Sequence, residues 1–128
     1  MTRRAGIEYL PVVFPGFSWH NLFSHRGEDW PLNQIPRLGG RFYWHQAYNA
    51  IGAGARGVFV AMFDEVDEGT AIYKLAPTRA DLPVQGAFLA LDADGEILPS
   101  DWYLQVTAQI SRMLRGELPL EPELPIRP

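Results

Sequence analysis

The chain has 128 residues, 47% hydrophobic and 20% charged, which suffices for one modest domain around a single core. Its net charge is −4 and its 11 Lys and Arg residues are scattered, so it lacks the basic stripe that a phosphate backbone requires, and no nucleic-acid partner is expected. There is no cysteine, which excludes disulfide staples and thiol catalysis but leaves the compartment open, because secreted proteins also occur without it.

The start, Met1-Thr2-Arg3-Arg4-Ala5-Gly6, is basic, but it leads into Ile7-Glu8-Tyr9 and a proline-interrupted apolar run instead of a signal core. No signal peptide is legible, and no apolar run approaches the roughly 20 residues of a membrane helix. A soluble chain is expected, with its localisation unknown. Tyr9 to Phe14 reads as a short buried strand ended by Pro15-Gly16. A long loop follows from Phe17 to Gly40, carrying Trp19, His20, Asn21, His25, Trp30 and Arg37, and a loop of that length inside a domain points to binding.

Arg41 to about Ala53 is predicted to be a helix, with Tyr43, Ala47, Ala50 and Ile51 on one face and glycines at its end. Gly57 to Phe63 is nearly unbroken in apolar residues, the pattern of a parallel strand covered on both faces. Phe88 to Leu91 reads as a third strand, with Asp92-Ala93-Asp94-Gly95 as a turn after it. Ser100 is the expected N-cap of a last helix in which Tyr103, Val106, Ile110 and Met113 repeat every three or four residues until Gly116. Residues 117–128 alternate Pro with Glu and Leu and are expected to form an extended tail.

This order of elements is the rhythm of βαβ units, so the fold class is α/β with a parallel sheet. Three strands do not close a barrel, and a (β/α)8 barrel takes about 250 residues. If the chain is barrel sequence, residues 1–116 hold three βα units of an incomplete one, with open sheet edges that invite self-association or a partner chain.

Asp64-Glu65-Val66-Asp67-Glu68 directly follows the most apolar run, and parallel α/β folds gather catalytic groups at the C-terminal ends of strands. Crowded carboxylates raise one another's pKa, so that one can donate a proton while its neighbour stays ionised, as cleavage of a glycosidic bond requires. Two other readings stay open at this point: a solvated acidic loop, and a cation site of hard oxygen ligands. Phe17-Ser18-Trp19-His20-Asn21 offers flat apolar faces beside hydrogen-bonding groups, which suits sugars, although core packing would explain Trp19 equally. Trp44 and His45 lie inside the predicted helix and invite the same caution. Asp92-Ala93-Asp94-Gly95 departs from a calcium loop because Ala90 stands at the first ligand position. The three histidines lack zinc-site spacing, so no metal or other cofactor is expected.

Phe14-Pro15-Gly16-Phe17, Arg37-Leu38-Gly39-Gly40-Arg41-Phe42-Tyr43-Trp44 and Phe63-Asp64-Glu65-Val66-Asp67-Glu68-Gly69-Thr70-Ala71-Ile72 together resemble the closing segments of glycoside hydrolase family 99 and its family 71-related cousins. The resemblance covers roughly residues 11–74, and Glu-x-x-Glu-Gly-Thr is its most specific part. It implies the C-terminal portion of a (β/α)8-barrel enzyme of the endo-α-mannosidase type, acting on a glycan by retaining hydrolysis with help from the substrate's own 2-hydroxyl through an anhydro sugar. It further implies that Glu65 is the base for that hydroxyl and Glu68 the acid for the leaving oxygen. Asp64 stands in place of the family's Asn, and Phe17 in place of a sugar-contacting Tyr. Val66 replaces a Trp and Asp67 a His, and these departures bear on mannose specificity more than on the carboxylate pair. The substrate-binding set expected on this basis is Phe17, Trp19, His20, Asn21, Arg37, Asp64 and Asp67.

Overall fold

The apolar runs before Pro15 and after Arg56 meet as neighbouring parallel strands in a computed structural model, which describes residues 6–128. The basic start, up to Ala5, lies outside the described residues. Strand β1 is Val12–Val13 and β2 is Phe59–Val60, with Val12 opposite Phe59 and Val13 opposite Val60. Phe59 N–H donates to the Pro11 carbonyl and Ala61 N–H to that of Val13, both at 2.9 Å. The strands are shorter than the apolar runs that hold them, because each has a single neighbour among the described residues and the ladder ends where that neighbour does. The expectation that Gly57 to Phe63 is covered on both faces is corrected: Phe59 is 50% exposed and Phe63 59%.

The helix between the strands, Arg41–Gly52, crosses over the covered face and buries Tyr43, Trp44 and Ala47. Trp102–Leu114 forms the last helix and buries Trp102, Tyr103, Val106, Ile110 and Met113, the three- and four-residue spacing of an amphipathic stripe. Its N-cap is Asp101 and not Ser100, and Gly116 ends it in the left-handed region at φ +72°. Val13, Ile72, Leu91 and Leu98 join these helix faces in one core cluster. The tail after residue 116 is irregular and lies against the molecule, with Leu118, Leu124 and Ile126 packed on the core and the Trp44 Nε1–H donating to the Glu121 carbonyl at 3.1 Å.

Phe88 to Leu91 is not a strand. The chain there is irregular and enters a 3-10 turn at Leu91–Asp94, and Leu91 N–H donates to the Ala76 carbonyl at 3.0 Å. Leu91 is buried as the apolar pattern demands, but no strand among the described residues lies beside it to build a ladder. The Asp92-Ala93-Asp94-Gly95 turn forms as expected, and its carboxylates act as pins. Asp94 accepts from Asn33 Nδ2 at 2.7 Å and from Leu38 N–H at 2.8 Å, while Asp92 accepts from Arg79 N–H at 3.1 Å. The long loop from Phe17 to Gly40 is also more ordered than its composition suggests. It contains a short helix, His20–Ser24, a 3-10 turn at Leu38–Gly40, and an isolated antiparallel bridge between Phe17 and Ile35.

Candidate functional site

Because β1 and β2 are parallel, the segments that follow them leave the sheet at the same end, and two backbone-directed contacts tie them together. Ser18 N–H donates to the Glu68 carbonyl at 2.7 Å. Asn21 Nδ2 donates to the carbonyls of Asp67 and Ala87, each at 2.7 Å. The acidic segment is folded back on itself from beneath: Thr70 and Ala71 N–H both donate to the Glu65 carbonyl at 3.1 Å, and Gly69 N–H donates to that of Val66 at 3.2 Å. With its carbonyls turned inward, the segment carries Asp64 and Asp67 exposed and Glu65 and Glu68 partly buried. The Ala61–Met62 peptide that enters it is cis.

Two glycines make this fold possible. A Cβ on Gly16 would lie 2.7 Å from Arg37 Cγ and 2.8 Å from the Ile35 carbonyl, so only glycine lets the turn after β1 settle onto Arg37. Gly69 sits at φ +66°, and a Cβ there would approach Leu89 Cδ1 to 2.9 Å.

Arg37 is placed differently from the sequence expectation. It is 6% exposed and lies beneath the acidic segment, with Nε and Nη2 donating to the Gly69 carbonyl at 3.1 and 2.6 Å and Nη1 to that of Ala71 at 3.1 Å. Its guanidinium stacks 4.6 Å above the Tyr103 ring of the last helix. Burial lowers the Arg37 pKa, opposed by Tyr103 and Asp94, and burial pushes the Tyr103 hydroxyl up to about 12. Asn21 likewise has both amide protons engaged by backbone carbonyls, so it and Arg37 position the loop from within.

Above these pins runs a row of aromatic rings. Phe17 and Trp19 have centroids 4.8 Å apart, Trp19 and Trp30 6.5 Å, and Trp30 stacks on Phe23 at 4.9 Å. His20 Nδ1 meets the Trp30 carbonyl, and Trp19 N–H donates to Gln34 Oε1 at 2.9 Å, which fixes the row to its own loop. Trp19 is half-buried, so core packing alone does not account for it. Trp44 does take the core position, and His45 is exposed beside it. Phe23 and Gln34 complete the row without having been singled out in the sequence, although Phe23 lies four residues after Trp19, the spacing of one helical face.

Partial burial raises the pKa of the Glu68 carboxyl, and the neighbouring charges of Glu65 and Asp67 raise it further. Because folding raises this pKa above its unfolded value, the contribution to stability is full below the ordinary carboxylate range and is lost as pH rises through the folded pKa. Glu68→Gln is therefore expected to melt slightly above the wild-type chain at pH 7, with the gap closing below about pH 4, where the wild-type carboxyl is also neutral. Thermal melts across that range check it.

Among the described residues no three His, Asp or Glu side chains come together as a metal site. Two clefts of about 970 and 840 Å³ open elsewhere on the surface, and neither is lined by Glu65 or Glu68.

A scan against protein-family models finds no match, and a search of curated proteins finds none either. Among solved structures the chain is similar to a GH99 endo-alpha-mannosidase from Bacteriodes thetaiotaomicron, solved in complex with BIS-TRIS-propane. The TM-score is 0.68 at 25% identity, and the match covers 90% of this chain but 32% of that one. The fold is thus GH99-like and mixed α/β, and this chain corresponds to about a third of the length of the TIM-barrel enzyme it matches.

Proposed function

We propose that the chain carries the carboxylate side of a glycoside hydrolase site, acting on an α-linked glycan of the endo-α-mannosidase class. The observation that supports this reading is the stitching of the acidic segment to the loop that bears the aromatic row, by Ser18 N–H to the Glu68 carbonyl and Asn21 Nδ2 to that of Asp67. The roles follow the resemblance: Glu68 protonates the leaving oxygen, and Glu65 draws the proton from the substrate's 2-hydroxyl. The raised pKa at Glu68 is a shift in the direction that suits a proton donor. Phe17, Trp19 and Trp30 supply flat faces for the C–H side of a sugar, and Asp64 and Asp67 supply acceptors for its hydroxyls. Asn21 and Arg37 serve the reaction by holding the acidic segment in place.

The test is hydrolysis of a panel of α-linked and β-linked glycans by the purified chain, beside Glu65→Gln and Glu68→Gln. Each substitution is expected to reduce cleavage of α-mannosidic members by about 10²–10⁴-fold, the usual worth of a positioned acid or base. Cleavage that survives both substitutions would reject the assignment. The aromatic row supports a second reading, a carbohydrate-binding module without catalysis. Under it, the folded chain binds glycans, loses binding in Trp19→Ala and Trp30→Ala, and hydrolyses nothing.

A further inference from the structure

Both chain neighbours of Glu68 are tied to one further segment. Asn21 Nδ2 holds the carbonyls of Asp67 and Ala87 at 2.7 Å each, so those two backbones lie within two hydrogen-bond lengths of each other. On the other side, Gly69 faces Leu89 so closely that a Cβ there would stand 2.9 Å from Leu89 Cδ1. Ala87 and Leu89 belong to the stretch that lines the cleft of about 840 Å³, together with Leu32, Arg79 and Val84. The cleft therefore borders the Glu68 end of the acidic segment. In the proposed reaction Glu68 protonates the leaving oxygen, so the group that departs lies on the Glu68 side.

The lining of this cleft is chiefly aliphatic, and at about 840 Å³ it falls within the roughly 300–1,000 Å³ of small-molecule sites. Leu32, Val84, Phe88 and Leu89 give it apolar walls, and Val84 is 103% exposed and Leu32 38%. One aliphatic side chain in water is ordinary, but two of them on the lining of one apolar concavity mark a surface that gains by being covered. Gly86, at φ +98°, lets the Phe88 ring fold against its own backbone, where a Cβ would stand 2.6 Å from Phe88 Cε2. Arg79 and Asp92 line the cleft with opposite charges, Asp92 accepting from the Arg79 N–H at 3.1 Å, so a charged ligand meets little net field there. Phe88 is the single ring in the lining, whereas flat faces for sugars are gathered in Phe17, Trp19 and Trp30.

We infer that the cleft receives an uncharged aliphatic aglycone, so that the substrate is a glycoconjugate in which the glycan is α-linked to an alkyl group at the leaving position. The inference rests on the proposed hydrolysis, which supplies the side from which the leaving group departs. In the reaction the glycosidic C–O bond breaks and the alcohol leaves with a proton from Glu68. One water is consumed: its oxygen ends on the sugar and its proton restores Glu68. Aliphatic walls hold the alkyl chain out of water while the sugar stays with the aromatic row, so the two halves of the substrate are sorted by the chemistry of two adjoining surfaces.

The experiment titrates the purified chain carrying Glu68→Gln, which holds substrate without turnover, with α-mannobiosides bearing methyl, butyl and octyl aglycones. Hydrolysis of the same series is followed with the wild-type chain. The octyl member is expected to bind at least roughly 30-fold more tightly than the methyl one, since only part of the added chain needs to be buried to reach that gain. The wild-type kcat/KM should rise in the same order. Val84→Asp and Leu32→Asp, at exposed positions on the lining, should each weaken octyl binding by about tenfold and leave methyl binding unchanged, because a carboxylate would have to be desolvated against the chain. Ile97→Asp, at a residue 92% exposed and outside the cleft, should alter neither. Affinity and rate indifferent to aglycone length, or a length dependence that Val84→Asp and Leu32→Asp leave intact, would overturn the inference, while cleavage lost in Glu68→Gln would keep the hydrolase reading. Octyl binding that depends on Val84 and Leu32 without cleavage of any member would reject the hydrolase reading and leave the apolar site. A folded chain that binds no member of the series overturns the inference.

Discussion

Replacing Arg37 with Met is expected to lower the stability of the chain by about 2–4 kcal/mol, the scale of losing charge-assisted hydrogen bonds at a buried site. Methionine keeps most of the apolar stem, so the loss isolates the guanidinium. Its removal takes away all three donors described above, and Ala71, one of the residues they reach, is fully buried. The stack on Tyr103 is lost with it. The opposing gain, relief from burying a cation, is real, and it is why the estimate stays below the sum of the three bonds. Against a typical total of roughly 5–15 kcal/mol, the change should lower the melting temperature by about 10 °C. Lysine should not rescue the variant, because a single ammonium on a flexible stem cannot reproduce the planar fork that spans two carbonyls. Hydrogen exchange gives the more specific readout: the amides of Ser18, Thr70 and Ala71 should lose protection before those of the Trp102–Leu114 helix. Unchanged melting, or uniform loss of protection across the chain, would show that Arg37 does not hold the acidic segment.

That role for Arg37 marks one boundary of what the sequence makes legible. The two long helices are readable because Tyr43, Ala47, Ala50 and Ile51, and then Tyr103, Val106, Ile110 and Met113, recur at helical spacing, and Tyr43, Ala47 and all four of the second set are buried. The placement of the acidic segment just after a strand is readable for a similar reason, since the apolar run from Gly57 sets where the strand lies. Phe88 to Leu91 fails because a short apolar run does not reveal whether a neighbour exists to pair with. Leu91 needs burial, and a 3-10 turn supplies it as well as a strand does. Phe59 and Phe63 fail in the other direction, as apolar residues that nothing among the described residues covers fully. For Asn21 and Arg37 the limit is directional. A polar side chain in a binding loop can face the ligand or the loop's own backbone, and residue type is the same in both cases. Here unpaired carbonyls of the acidic segment claim their donors.

Trp102 is where the largest loss of stability is expected. Its side chain is 1% exposed, and Nε1–H donates to the Gly39 carbonyl at 2.9 Å. Gly39 and Gly40 take φ values of +63° and +91° in the turn that starts the Arg41–Gly52 helix, and a Cβ on Gly40 would stand 3.3 Å from Trp102 Nε1 and 3.2 Å from Val106 Cγ2. The indole thus fills the core and also fastens the entry of one helix to the start of the other. Trp102→Ala should lower stability by about 3–5 kcal/mol, combining lost apolar burial with a cavity that close-packed neighbours refill only in part. Trp102→Phe keeps much of the ring and removes the donor, so its cost should fall to about 1–2 kcal/mol, with most of it traceable to the unpaired Gly39 carbonyl. Chemical denaturation of the two variants separates packing from hydrogen bonding. If phenylalanine proves as damaging as alanine, the Gly39 contact and not the bulk of the indole sets the position of the Arg41–Gly52 helix. Arg37, only two residues before Gly39, would then feel the same change, and its grip on the segment bearing Glu65 and Glu68 should weaken in step.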